Sequence, residues 1–210
     1  MIGANFTLAF DSNGFVWAWG GNTFGDLGRS EEKSYVKPFR LSNLNDIVQI
    51  SAGYTGGLAL TKKGKIWRWC AANNIDHFCQ TPQKLNLQDI VTISSGSYHS
   101  LALTNKGEVI GWGRNDEQQV TDKGWTGGTR KPMTLANNAL AISAGNYHSL
   151  VLTKDKKILA WGDGFSKGPL GLKPSPELLP LLFSSPWIHS LHPTTLEIEI
   201  RNRIKDSIAL

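Results

Sequence analysis

One pattern of 18 residues occurs four times without a gap in this chain of 210 residues. The copies are GANFTLAFDSNGFVWAWG from residue 3, GYTGGLALTKKGKIWRWC from 53, GSYHSLALTNKGEVIGWG from 96 and GNYHSLVLTKDKKILAWG from 145. Their starts lie 50, 43 and 49 residues apart. Self-similarity at such a period marks a modular array, in which each module buries its apolar face against the next.

Each column has a physical meaning. Gly opens every copy (Gly3, Gly53, Gly96, Gly145). An apolar–small–apolar triplet follows, Leu8-Ala9-Phe10, Leu58-Ala59-Leu60, Leu101-Ala102-Leu103 and Leu150-Val151-Leu152, as expected of a strand covered on both faces, one of them closely. A polar turn comes next and ends in Gly in three copies, the residue that tolerates positive φ in a hairpin. Lys156 breaks that column and, on the same backbone, carries a strain of roughly 1–2 kcal/mol. The second strand ends in Trp19, Trp69, Trp112 and Trp161, each a packing device that buries on the order of 150–250 Å². Gly follows the Trp in three copies and Cys70 in the other.

A further strand precedes three copies: IVQISAG (47–53), IVTISSG (90–96) and ALAISAG (139–145). Before it lies a short apolar piece near a proline, KPFRL, TPQKL or KPMTL. Each repeat therefore reads as four short strands, with its longest loop after the Trp-Gly. The predicted fold is all-β, a β-propeller of four-stranded blades. Repeats occupy residues 1–172, and a Pro-rich connection with a degenerate terminal repeat occupies 173–210. Pro193–Leu210 is again 18 residues long and places Ile198 and Ile200 where Leu58 and Leu60 sit. It is taken as a degenerate fifth copy of a small or incomplete propeller, whose open edges would need a partner or cap.

Composition narrows the function classes. Two cysteines, Cys70 and Cys79, do not make a disulfide framework or a zinc site, and fit a reducing, cytoplasmic compartment, with the nucleus as the alternative. The start lacks the basic and apolar regions of a signal peptide, and no apolar run is long enough to span a membrane. A formal charge of +5 admits an acidic partner. The Lys and Arg are scattered, however, with only short groupings such as Lys62-Lys63-Lys65 and Arg201-Arg203-Lys205, which argues against nucleic acid.

The columns resemble the repeat of the regulator-of-chromosome-condensation family, AG–two residues–HSLALT–two residues–G–V–two residues–WG, then N–two residues–GQLG. Residues 95–113 and 144–162 match the first part and GGNTFGDLG (20–28) the second. The Asp-box of sialidase-type propellers is a weaker match, approached only by Asp11-Ser12-Asn13-Gly14. The resemblance implies a non-enzymatic interaction platform. Its expected partner is a small GTPase of the Ran or Rab type, with guanine-nucleotide exchange by a propeller rim rather than by covalent catalysis. Asn- and Lys-rich loops and the small size also fit a bacterial effector built on a eukaryotic-type repeat.

No catalytic, metal or cofactor residues are assigned. His99 and His148, beside Ser100 and Ser149, have the look of a base and nucleophile. They recur once per repeat with no fixed acid to orient them, so they read as structural hydrogen-bonders within the blade. The glycine-rich loops lack the phosphate-loop pattern, and Glu31-Glu32 and Asp116-Glu117 read as solvated charge rather than glycosidase acids. Binding is expected in the irregular loops after Trp-Gly. The expected interface residues are Asp26 and Arg29 from the first loop and Arg114, Asp116, Trp125 and Arg130 from the third. Trp and Arg are typical interface anchors, although Trp125 reads equally as cover for a blade edge. The alternatives are a glycan-binding or glycosidase-like propeller and a chromatin- or DNA-associated scaffold.

Overall fold

A computed structural model of the chain describes residues 1–29, 34–70, 81–120, 129–162 and 194–196, the backbone alone at 129–131 and 194–196. It forms four antiparallel sheets, each a meander in chain order. Blade 1 holds β1 (Phe6–Phe10), β2 (Val16–Gly20) and β3 (Tyr35–Arg40). Blade 2 holds β4 (Ile47–Ala52), β5 (Gly57–Thr61), β6 (Ile66–Trp69) and β7 (Gln83–Lys84). Blade 3 holds β8 (Ile90–Ser95), β9 (His99–Thr104), β10 (Val109–Gly113) and β11 (Thr129–Ala136). Blade 4 holds β12 (Ala139–Ala144), β13 (His148–Thr153), β14 (Ile158–Gly162) and β15 (Thr194–Leu196).

The four-stranded reading holds for blades 2, 3 and 4, while blade 1 has three strands among the described residues, and the phase shifts. The segment KPFRL pairs backwards with the Trp strand of blade 1, Trp17 opposite Arg40 and Ala18 opposite Phe39. Gln83-Lys84 pairs likewise with Arg68-Trp67, and β11 with β10. The long loop after Trp-Gly therefore joins the third and fourth strands of one blade rather than two successive blades. Thr194–Leu196, at the start of the expected fifth copy, supplies the outer strand of blade 4. Ile198 and Ile200 lie outside the described residues.

The Leu-Ala-Leu triplet works across the blade interfaces. Leu58 and Leu60 of blade 2 share one core cluster with Ala102 and Trp112 of blade 3. Leu101 and Leu103 of blade 3 share the next with Val151 of blade 4, Trp161 packing beside them. Leu8 of blade 1 meets Ala59 and Trp69 of blade 2 in the same way. The outer pair thus points towards the following blade, and the small middle residue and the Trp towards the preceding one. Alternation along a strand enforces that division, and the small middle residue lets the sheets close on each other. Trp69 and Trp112 are almost wholly buried, whereas Trp19 and Trp161 are only half-buried.

At the hairpin end, the junctions repeat the same stitch. The hairpin glycines Gly14, Gly64 and Gly107 each accept a hydrogen bond at C=O from the first inner-strand residue of the next blade, Ile47, Ile90 and Ala139. The residue just before, Asp46, Asp89 or Asn138, sits at φ 57–62°, a left-handed conformation that Asn and Asp tolerate better than most residues. Its carbonyl accepts from the hairpin of its own blade. Lys156 keeps the same hairpin backbone, at φ 64° against 70° for Gly64, so the strain expected of a lysine there is real.

Candidate functional site

The buried histidine is part of a junction between blades, not within one. His99 Nε2 lies 2.9 Å from Ser149 Oγ of blade 4, and Ser149 donates its own proton to the Gln119 carbonyl at 2.7 Å. Ser149 then has only lone pairs left for the imidazole, so His99 carries its proton on Nε2. Both residues are shut off from solvent. Burial first, and the charge of nearby His148 second, push the His99 imidazole down from 6.5 to about 4. A serine whose proton is committed and whose site is closed is a joint. The opening glycine of the repeat is explained here too, because a Cβ on Gly96 or Gly145 would strike the ring of His99 or His148, and one on Gly3 the ring of Phe6.

The accessible chemistry lies at the opposite end from the hairpins. There the first-to-second-strand turns and the loops after Trp-Gly emerge together, since His99 pairs with Gly113 and His148 with Gly162. Tyr54, Tyr98 and Tyr147 rise from those turns on blades 2, 3 and 4. Ring centroids are 5.3 Å apart for Tyr54–Tyr98 and 6.4 Å for Tyr98–Tyr147, within the range of aromatic pairs. The Arg114 guanidinium lies 5.4 Å from the Tyr98 ring and 5.9 Å from that of Tyr147, a cation–π arrangement. Asp116 holds Arg114 at 2.6 Å. Burial raises the Tyr98 phenol, and the neighbouring tyrosines add to the shift against the opposing charge of Arg114. The turns are tied blade to blade, Tyr54 N–H donating to Ser97 C=O and Ser97 N–H to Asn146 C=O.

Of the expected interface residues, Arg114 and Asp116 stand on this rim as an ion pair with about a third of each side chain exposed. Arg29 belongs to the same rim two blades away, stacked on Phe39 at 4.1 Å and on Tyr35 at 5.3 Å. Asp26 lies beneath the rim surface. It is 5% exposed, its carbonyl accepts from Trp69 Nε1 of the next blade at 2.9 Å, and burial raises its carboxyl. Its carbonyl seats the loop on blade 2. Asn22 folds that loop around its own amide by accepting from Leu27 N–H, as Asn115 does from Val120 N–H. Trp125 lies outside the described residues, as does the side chain of Arg130, whose backbone runs in β11. The tyrosine row is not among the residues expected from the sequence. Its signal was the shared column of Tyr98 and Tyr147.

Cys70, the residue that replaces the Gly after Trp69, is disulfide-bonded. Among the described residues, no group of three or more His, Cys, Asp and Glu is placed to hold a metal. No described helix is long and apolar enough to cross a membrane.

Two models of the regulator of chromosome condensation (RCC1) repeat match this chain, one at residues 13–60 and the other at 90–119 and 140–167, together just over half of it. This chain belongs to the RCC1-repeat family. The RCC1-repeat architecture agrees with solved relatives. Prp20p from Saccharomyces cerevisiae is similar at 27% identity and a TM-score of 0.66, over 77% of this chain and 44% of that one. Mouse Protein RCC2 is 41% identical over 76 residues, 34% of this chain and 14% of its own length. The human E3 ubiquitin-protein ligase HERC2 is 36% identical over 70 residues, 32% of this chain and 1% of HERC2. The match thus spans less than half of the solved propeller and a small part of these curated relatives.

Proposed function

We propose that this RCC1-repeat chain is a protein-interaction platform that docks a small GTPase of the Ran or Rab type on the tyrosine rim, and that it acts on guanine-nucleotide exchange through that contact. The observation that carries the reading is the row Tyr54–Tyr98–Tyr147, capped by Arg114. Rigid aromatic side chains lose little freedom on binding, and Tyr and Arg are enriched among the residues that dominate interface energies. The partner class is supported by the relative Prp20p, whose structure was described together with its binding to Gsp1p, a Ran-like GTPase, and histones.

The test is a capture and nucleotide-release panel of Ran- and Rab-type GTPases, with Tyr98→Ala and Arg114→Ala alongside the parent. Binding that falls at least tenfold in both variants supports the reading. Failure of every GTPase to bind, or binding indifferent to both substitutions, removes it.

A further inference from the structure

Blade 2 departs from the repeat twice at one place. The residue after the Trp is glycine in blades 1, 3 and 4, at φ 107–113°. Cys70 stands there in blade 2 at φ 45°, a left-handed conformation uncommon for any residue with a side chain. The column of Phe6, His99 and His148 holds Gly56. The two exceptions fit each other. Gly57 pairs with Trp69, which sets Gly56 beside Cys70, and a Cβ on Gly56 would come within 2.6 Å of Cys70 Cβ. In blade 4 the opposite choice is made, and a Cβ on Gly162 would come within 2.7 Å of His148 Cα. Blade 2 has thus given up its ring and gained room for a sulfur. A residue held in a strained conformation by its surroundings points to a use for its side chain.

Cys70 is disulfide-bonded, and the other cysteine of the chain is Cys79, so the bond joins these two. In blades 1 and 3 an asparagine two places after the glycine ties the loop, Asn22 and Asn115 each accepting from a backbone N–H at 2.8 Å. Blade 2 has Ala72 at that place, and its tie is the bond between sulfurs. The thiol state has a partner as well. Cys70 Sγ lies 2.8 Å from the Phe24 carbonyl of blade 1, at a point open to solvent. A disulfide sulfur has no proton to give that oxygen, whereas a thiol donates to it. Thr55 Oγ1 donates to the Cys70 carbonyl at 3.1 Å, and Cys70 packs against the core between blades 1 and 2. Those contacts hold Cys70 in place whichever state its sulfur is in.

We propose that Cys70 and Cys79 are a reversible redox pair that exchanges with a low-molecular-weight thiol such as glutathione. In reduction, a glutathione thiolate attacks one sulfur of the protein bond and forms a mixed disulfide, and the departing cysteine takes up a proton. A second thiolate attacks the glutathione sulfur of that mixed disulfide, releases glutathione disulfide and leaves the second cysteine to be protonated. Two glutathiones are oxidised for each protein bond reduced, and the Cys70 thiol then donates to Phe24. Oxidation is the reverse, with glutathione disulfide as the oxidant. Permanent structural disulfides resist the glutathione pool, whereas exposed ones exchange with it and serve as sensors. The pair is separate from the tyrosine rim and does not depend on what binds there.

The experiment equilibrates the full native chain in glutathione buffers and counts thiols by mass after alkylation. With about 5 mM glutathione and about a hundredth as much of its disulfide, at least about half of the molecules should carry two alkylated cysteines. Equal amounts of the two forms should restore the internal bond. The reduced chain should keep the circular dichroism of the oxidised one and melt at most about 10 °C lower. Cys79→Ser, which leaves the Cys70 thiol on Phe24, should melt with the reduced chain. A bond that survives the reducing buffer in the native chain and yields only in urea overturns the proposal, because it is then a permanent staple. Reduction that unfolds the chain overturns it too, as does oxidation that leaves glutathione on both cysteines in place of the internal bond.

Discussion

His99→Phe should reverse the order of stability between neutral and acidic pH. The imidazole is neutral in the fold, with a pKa of about 4 against 6.5 when free. Its folded value is depressed, so its contribution is intact above pH 6.5 and is lost as pH falls from there towards 4. At pH 5 the unfolded imidazole is almost fully charged and the buried one only about a tenth, a difference of about 2 kcal/mol against the fold. Phe is the natural test because Phe6 already occupies this column in blade 1, 3% exposed. The substitution forfeits the His99–Ser149 bond, about 1 kcal/mol, and leaves Ser149 its acceptor at Gln119. The variant should thus be less stable by about 1 kcal/mol at pH 7.5 and more stable by about 1 kcal/mol at pH 5. The relative shift in melting temperature is about 4–8 °C across that range. Thermal unfolding followed by tryptophan fluorescence at both pH values reads this directly. Other titrating groups, including the raised carboxyl of Asp26, largely cancel in the comparison. Parallel stability-against-pH curves for parent and variant would refute the assigned protonation state of His99.

Lys156→Gly should stabilise the chain by about 1 kcal/mol, read as a raised urea midpoint at unchanged slope, because glycine relieves a left-handed residue at φ 64°. Trp69→Phe should cost about 2–3 kcal/mol in the same assay, through lost volume and the orphaned Asp26 carbonyl, while Trp19→Phe should cost less, because Trp19 is only half-buried. Asp116→Ala should change stability by less than about 1 kcal/mol, since a third of its ion pair with Arg114 is exposed; an effect on partner binding would then report on the interface. Gly96→Ala should destabilise by about 1–3 kcal/mol, because its methyl would meet both the His99 ring and the Gly145 carbonyl.

What could be read in the sequence was whatever repeats. The Leu-Ala-Leu triplet, the Trp and the hairpin glycine recur because each blade interface imposes the same geometry, and one chain holding four copies displays that constraint. Strand partnership did not read as well. KPFRL is closer in sequence to β4 than to β2, yet it pairs with β2, because a backbone edge chooses its neighbour in space. The burial of Asp26 in a glycine-rich loop did not read from its charge. The matching residue in the third loop, Gln119, is a neutral side chain whose backbone carbonyl does the equivalent work. The column serves through its backbone carbonyl in both loops. The tyrosine row was harder, since Tyr54 sits one place out of register with Tyr98 and Tyr147; only the fold brings the three rings together.

The stitch between a hairpin glycine and the next inner strand also governs how such a chain can change in length. Each junction is set by one carbonyl, one N–H and one left-handed Asp or Asn, all drawn from two neighbouring blades. The turn from blade to blade is therefore a local constant, and the arc is its sum. A copy inserted or deleted by recombination keeps every remaining joint intact, whereas an insertion within a joint would misalign all that follows. The unequal spacings of 50, 43 and 49 residues obey this rule. Each left-handed residue stands seven before its opening glycine, and the variation falls between the Trp-Gly and the next joint.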